Sequence, residues 1–411
     1  MASPKTASFV QLHQLSLAEK LHYIESAKAK SEMLQHRIAS IRREVRNTSL
    51  SQVSHSVPAL TNLKLSKPNL YKGHRGKIND MKLAHSSQTL VTVGQDGFAI
   101  IWDAITGSKM DFVQLANCWA LSCAISPSGR LIATGGLDNA CTVYTVKNSF
   151  EDTSSVSETD NLILNSSDSG IGRKNVGANH YQMFALGPNA PVCLLKGHKA
   201  YISEMAFPLE NKLLSSSGDM SINYWDLNRN ERIFEFSDRN LGDVSSVAVH
   251  PSNPNVFVSG SLKTVKVWDV RVPISTQEFF GHEDDVNVVS MFPDGYSVLS
   301  GSDDKTCRLF DMRSDCQLNV YSDINRVNSP VTKVEFSPSG RLFFASYEDG
   351  TLSAWDVLKG TWMGELTKSN GPSCMITSVQ ASANGSRLYT SSWDGMVSRG
   401  IVLCSVFNLS N

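Results

Sequence analysis

The chain has 411 residues, 41% of them hydrophobic, and a formal net charge of −1. That length suits one large domain with appendages, and the balanced charge gives no reason to expect nucleic acid or a bulk membrane surface as an electrostatic partner. No run of 18 apolar residues occurs, so no segment reads as a membrane-spanning helix.

The first ten residues lack the charged-then-apolar pattern of a secretory leader. Residues 14–47 contain neither Gly nor Pro and are dense in helix formers. Leu17, Leu21 and Ile24 fall at 4-3 spacing, and so do Leu34, Ile38, Ile41 and Val45. The two runs are out of phase by a stammer-like step near Ala27 and Ser31. An apolar seam of this length asks for a partner helix, so residues 1–57 are expected to form an intermolecular coiled coil. Packing flat on the rest of the same chain is the plainer alternative.

From residue 58 onward the chain repeats. Segments end in Ile101-Trp102-Asp103, Val143-Tyr144, Tyr224-Trp225-Asp226, Val267-Trp268-Asp269, Leu309-Phe310-Asp311 and Ala354-Trp355-Asp356. Trp225 lies 43 residues before Trp268, which lies 42 before Phe310, which lies 45 before Trp355. Gly73-His74, Gly197-His198 and Gly281-His282 open three of the units. A period of about 40–45 residues with Gly-His and Trp-Asp ends is the WD40 pattern, four strands to a propeller blade. A further unit around Leu388–Asp394 brings the number of blades to seven, so the fold is expected to be an all-β, seven-bladed WD40 propeller over residues 58–411.

Two places break the period. Tyr144 to Trp225 spans 81 residues with one Gly-His, which leaves about 39 extra residues. Residues 148–175, within an insertion reaching about residue 190, hold seven serines and five acidic side chains. So little apolar surface cannot offset the entropy of ordering, and a surface loop is expected. Ser155-x-x-Glu158 and Ser157-x-x-Asp160 within it resemble acidophilic-kinase sites. The second break is the end of the chain: after Trp393-Asp394-Gly395 no Trp-Asp strand end follows. An atypical terminal repeat and an artefact of splicing or gene prediction both account for this, and closure of the seventh blade is left open.

The repeat predicts its own hydrogen bonds. His74, Thr92, Asp96 and Trp102 match the tetrad that ties WD40 strands together, as do His198, Ser215, Asp219 and Trp225. His282, Ser300 and Asp304 form a third set in which Phe310 replaces the indole donor. These histidines recur at one repeat position, so they are read as structural and not as catalytic or metal-binding. The motifs G-x-x-x-x-G-K-[ST], G-x-S-x-G and H-E-x-x-H are absent. The eight cysteines (Cys118, Cys123, Cys141, Cys193, Cys307, Cys316, Cys374 and Cys404) show no C-x-x-C pair and no zinc spacing. No enzyme activity, cofactor or metal is expected, and free thiols in a reducing compartment are.

A heptad helix feeding seven WD40 repeats resembles the β subunit of heterotrimeric G proteins. The likeness extends to strings of residues: Cys118-Trp119-Ala120-Leu121-Ser122-Cys123-Ala124, Gly135-Gly136-Leu137-Asp138-Asn139, and Gly301-Ser302-Asp303-Asp304-Lys305-Thr306-Cys307-Arg308-Leu309-Phe310-Asp311. Met312-Arg313-Ser314-Asp315-Cys316 and Ser217-Gly218-Asp219-Met220 resemble the branch used in yeast mating-pheromone signalling. The resemblance implies a cycle without chemistry: one propeller face holds a GDP-bound α subunit and is freed for effectors when receptor-driven exchange loads α with GTP. The matching positions are Lys77, Trp119, Leu121, Leu137, Asn139, Tyr201, Asp243, Asp285, Asn287, Asp303 and Trp393. It also implies a γ subunit whose helix meets Leu17, Leu21, Ile24, Leu34, Ile38 and Ile41. A lipidated γ or α would then hold a cytoplasmic protein at the inner face of the plasma membrane. The family's aromatic at the position of Asn79 and its Met at that of Ser245 are missing here. A general WD40 scaffold, such as a ubiquitin-ligase adaptor or a ribosome-associated propeller, is the competing reading.

Overall fold

The computed structural model describes residues 17–46 and, with short gaps, 50–146, 191–366 and 374–403. A 30-residue helix, α1 (Leu17–Arg46), comes first. Seven antiparallel sheets follow, six of four strands and one of five. In the six four-stranded sheets the inner strand comes first in sequence and successive strands step outward. The inner strands of blades 1 to 7 are Ile78–Leu83, Ala120–Ile125, Ile202–Leu209, Val244–Val249, Val286–Met291, Val331–Phe336 and Ile376–Ala381. Neighbouring inner strands pack on one another around the whole ring, the last against the first.

A sheet apolar on both faces must bury both, and a ring of tilted sheets does so without leaving an end. The core accordingly forms seven clusters among the described residues, one at each junction between blades. Between blades 1 and 2, for example, Val91, Val93 and Ile101 pack on Cys123, Ile132 and Tyr144. Between blades 5 and 6, Leu299 and Leu309 meet Phe336, Phe343 and Trp355.

The tetrads form as expected. In blade 1 the His74 ring bonds Asp96 at 2.9 Å and Thr92 at 2.7 Å, and the Trp102 indole donates to Thr92 at 2.9 Å. Blade 3 repeats this through His198, Asp219, Ser215 and Trp225. In blade 5 His282 reaches Asp304 and Ser300, while Phe310 meets the imidazole edge-on. Burial holds the His74 and His198 imidazoles below their ordinary pKa against the pull of their aspartates, so both are neutral at pH 7. Each is then a strand tie. Blade 2 has Ala116 four residues before its inner strand, where His74 stands in blade 1. A small cavity remains there, lined by Ala116, Thr134, Asp138 and Tyr144. Blade 4 uses a different device: Lys266, wholly buried, donates to Asp238 at 2.7 Å and pairs with Glu278 at 2.6 Å.

The irregular end is closed from elsewhere in the chain. Met396–Leu403 forms the third strand of blade 7. Its outer neighbours are Asn69–Lys72 and Lys64–Leu65, which precede blade 1. A sequence-distant strand therefore covers the edge that a ring must not leave open. In the other blades the strand-ending aromatic sits opposite a fixed second-strand residue, as Trp102 opposite Leu90 and Trp355 opposite Phe343. In blade 7 that place, opposite Leu388, belongs to Gly400. The Leu65 side chain fills the vacated volume: a Cβ on Gly400 would lie 2.9 Å from Leu65 Cδ2. Tyr71 and Tyr389, both of blade 7, donate to the same Ala104 carbonyl of blade 1 at 3.0 and 2.8 Å. The seventh blade is closed without its Trp-Asp.

Between α1 and blade 7 the chain runs along blade 6. Leu50 packs on that blade's core, and the Ser54 and Pro58 carbonyls accept from Lys359 at 2.7 Å and Arg341 at 3.1 Å. The 148–175 segment, with Ser155 and Ser157, lies outside the described residues; it falls between the third and outer strands of blade 2 (Ala140–Thr145 and Pro191–Lys196).

Candidate protein-docking face

In an antiparallel blade the start of the inner strand and the turn between strands two and three lie at the same end. That rule gathers the candidate residues onto one face. Lys77, Trp119, Tyr201, Asp243 and Asp285 each immediately precede an inner strand, and Leu121 and Asn287 are its second residue. Leu137, Asn139, Asp303 and Trp393 lie in second-to-third-strand turns. Backbone bonds join the two sets: Leu137 N to Trp119 O at 3.2 Å and Asp303 N to Asp285 O at 2.9 Å. Gly136 is needed for the approach, since a Cβ there would collide with the Trp119 carbonyl.

Neighbouring blades are also linked across this face. The Lys77 ammonium lies 3.8 Å from the centroid of the Trp393 ring, joining blades 1 and 7 by a cation–π contact. Asn139 donates to the Lys199 carbonyl at 3.2 Å, and the Tyr201 hydroxyl to Asp243 at 3.3 Å. Burial, then the Asp243 carboxylate, raises the Tyr201 phenol, which stays protonated. Asn287 holds Asp303 at 2.6 Å and the Val331 carbonyl of blade 6 at 2.9 Å. Asn79 donates to the Ala120 carbonyl at 2.6 Å.

Trp119 remains 51% exposed, Leu137 53%, Trp393 39% and Tyr201 37%, although each sits among ordered backbone. Large exposed side chains on rigid turns are what a protein-binding hot spot requires. The face divides in two. Aromatic and apolar groups occupy blades 7, 2 and 3, with Lys77 of blade 1 among them, and Asp243, Asp285 and Asp303 occupy blades 4 and 5. Leu121 and Asn287 are partly covered and contribute less surface.

Two further side chains belong to this arc and escaped the sequence reading. Met220 and Leu262 are 52% and 45% exposed in the turns of blades 3 and 4, both with left-handed backbone (φ 63° and 43°). The signal for Leu262 was its place in Ser261-Leu262-Lys263-Thr264, where the repeat calls for Asp. The structure makes this a two-residue hairpin, Ser261 opposite Thr264.

On α1, Ile24, Leu34 and Ile38 are 48%, 52% and 47% exposed, so the described part of the stripe is not buried on the propeller. The side chains of Leu17, Leu21 and Ile41 lie outside the described residues. Among the described residues no group of His, Cys, Asp and Glu could hold a metal ion.

The family model described as WD domain, G-beta repeat, matches residues 66–103, 115–145, 189–226, 231–269, 273–311, 323–356 and 364–398. The seven matches correspond one to one with the blades, each covering the three inner strands of one blade (the last in part), and several beginning with the outer strand of the blade before. The guanine nucleotide-binding protein subunit beta of Saccharomyces cerevisiae is 34% identical over 308 residues, 73% of this chain and 64% of that protein. That of Zea mays is 36% identical over 344 residues, 80% of this chain and 82% of its own length. That of Oryza sativa subsp. japonica is 37% identical over 284 residues, 66% of each. The chain thus spans about two thirds of the yeast and rice relatives and more of the maize one. It belongs to the WD-repeat family of guanine nucleotide-binding protein beta subunits.

Proposed function

We propose that this protein is a docking subunit that signals by being covered and uncovered, with no bond made or broken. A γ subunit pairs with α1 along Ile24, Leu34 and Ile38, and GDP-loaded α occupies the face around Trp119. Receptor-driven exchange to GTP removes α, and effectors of a pheromone-response MAP kinase cascade take the same surface. Lipids on γ and α hold the cytoplasmic complex at the inner face of the plasma membrane. The observation that carries this reading is the exposed arc of Trp393, Trp119, Leu137 and Tyr201 beside the acidic arc of Asp243, Asp285 and Asp303. Apolar anchors supply affinity, and the carboxylates select a basic segment and its orientation.

The test is binding of the full chain, co-expressed with a γ-like subunit, to α loaded with GDP or with a non-hydrolysable GTP analogue. Tight binding to the GDP form that the analogue weakens supports the cycle. Equal binding in both states, or none, refutes it and returns the protein to the general scaffolds. Leu34→Asp with Ile38→Asp is expected to abolish recovery of the γ dimer, and unchanged recovery refutes the helix assignment.

A further inference from the structure

Away from both docking surfaces, four charged side chains of blades that do not adjoin meet where the inner strands converge. Glu204, at the third position of the blade 3 inner strand, has a side chain only 4% exposed. Its Oε1 accepts from Lys82 of blade 1 at 2.9 Å and from Lys333 of blade 6 at 3.0 Å. Its Oε2 accepts from the Ser246 hydroxyl and from the Val247 amide at 3.2 Å, both of blade 4. Glu335 stands two residues after Lys333 on the same strand, so strand alternation turns both to the same side.

A buried carboxylate with four donors is fully satisfied, and breaking such a set leaves an uncompensated charge. Blade 2 separates blades 1 and 3, and blades 4 and 5 separate 3 from 6, so the contacts of Glu204 span the channel itself. We infer that Lys82, Glu204, Lys333 and Glu335 form a proton-linked ionic strap across the central channel, tightest when Glu335 is protonated. Ionised, Glu335 repels Glu204 and competes with it for the same two ammonium groups. Protonated, it leaves both lysines to Glu204.

The surroundings support this. The charged groups that act electrostatically on Glu335 are Lys82 and Glu204 from the opposite blades and Lys333 from its own strand. Asp80, next to Lys82 on that side, is engaged by the Cys123 amide at 3.0 Å. The strands packed directly on that of Glu335 (Leu342–Tyr347, Val286–Met291, Ser297–Ser302 and Ile376–Ala381) offer one titratable group, Tyr347, whose hydroxyl accepts from Trp355. Burial raises the Glu335 carboxyl to about 7, Lys82 and Lys333 opposing and Glu204 reinforcing the shift. A carboxyl raised in the folded state contributes stability that is complete below its unfolded value of about 4.5 and is lost as pH rises through about 7.

The experiment is thermal unfolding of the full chain between pH 5.5 and 8.5, wild type against Glu335→Gln. The variant is expected to melt slightly above the wild type at pH 5.5 and several degrees above it at pH 8.5, the difference growing up to about pH 7 and staying constant beyond it. A pH-independent difference, or a variant less stable at pH 8.5, overturns the inference. Lys333→Leu is a second, independent variant. Removing an attracting ammonium should lower the melting temperature throughout and move the pH midpoint upward; an unmoved midpoint also overturns it. Should either variant fail to fold, infrared spectra of the wild type decide. A protonated-carboxyl band present at pH 5.5 and gone at pH 8.5 supports the strap, and its absence at pH 5.5 refutes it.

Discussion

Replacing Trp119 by Ala should separate binding from stability. A tryptophan presents on the order of 250 Å² of surface, and Trp119 is 51% exposed, so about 125 Å² remains for a partner to cover. At ~25 cal/mol per Å² that area represents roughly 3 kcal/mol, or a loss of about 100-fold in affinity. The fold should scarcely notice, because Trp119 lies outside the seven core clusters and its backbone, tied to Leu137 N, is unaffected. The assay is surface-immobilised GDP-loaded α against the purified dimer, with thermal unfolding of each variant as the control. A loss below about threefold in a variant with wild-type melting would refute the hot-spot reasoning. Equal loss of binding and of melting temperature would refute the claim that Trp119 serves recognition and not the core.

The remaining predictions concern smaller terms and the closure of the ring. Lys77→Met removes the ammonium from the Trp393 ring; an exposed cation–π contact is worth about 0.5–1 kcal/mol, so α binding should fall about two- to fivefold, and an unchanged affinity by calorimetry counts against an ordered Trp393. Gly400→Trp restores the repeat's aromatic but drives it into Leu65. Overpacking should cost about 1–3 kcal/mol in chemical denaturation, and stabilisation would mean that Leu65 does not fill that site. The Asp304 carboxyl is lowered: burial opposes, but bonds from His282, Thr306 and the Glu283 amide prevail. Its contribution is present above the ordinary aspartate value and lost as pH falls below it. Wild type should therefore lose melting temperature more steeply between pH 5 and 2.5 than Asp304→Asn, and parallel curves would refute the tie.

Seven blades, two tetrads, a third set without its indole, and the position of the insertion were legible because each rests on residues close in sequence and repeated at a fixed interval. Trp102, Thr92 and Asp96 lie within eleven residues of one another, and a hairpin brings them together wherever it forms. The candidate face was half legible. The resemblance supplied Trp119, Trp393, Lys77 and Leu137, and the strand and turn bounds set them at one end of the blades. Met220 and Leu262 did not stand out, because nothing local tells an exposed apolar turn residue from a buried one. The fate of blade 7 was not legible at all, since Gly400 reads as a failed repeat until Leu65 is seen beside it.

What the amino-acid order determined by itself is the unit: strand, Asp-containing turn, strand, aromatic, repeated until seven sheets exist, preceded by a helix with an apolar stripe. Those features follow from period, turn chemistry and amphipathicity, which act over tens of residues. Only the tertiary structure decided how the ring shuts and what its centre contains. Leu65 reaches Gly400 across 335 positions, and Glu204 gathers Lys82 and Lys333 from 122 and 129 positions away. Both depend on the curvature that returns blade 7 to blade 1. That curvature is set by the packing of all seven junctions together, and no single repeat encodes it.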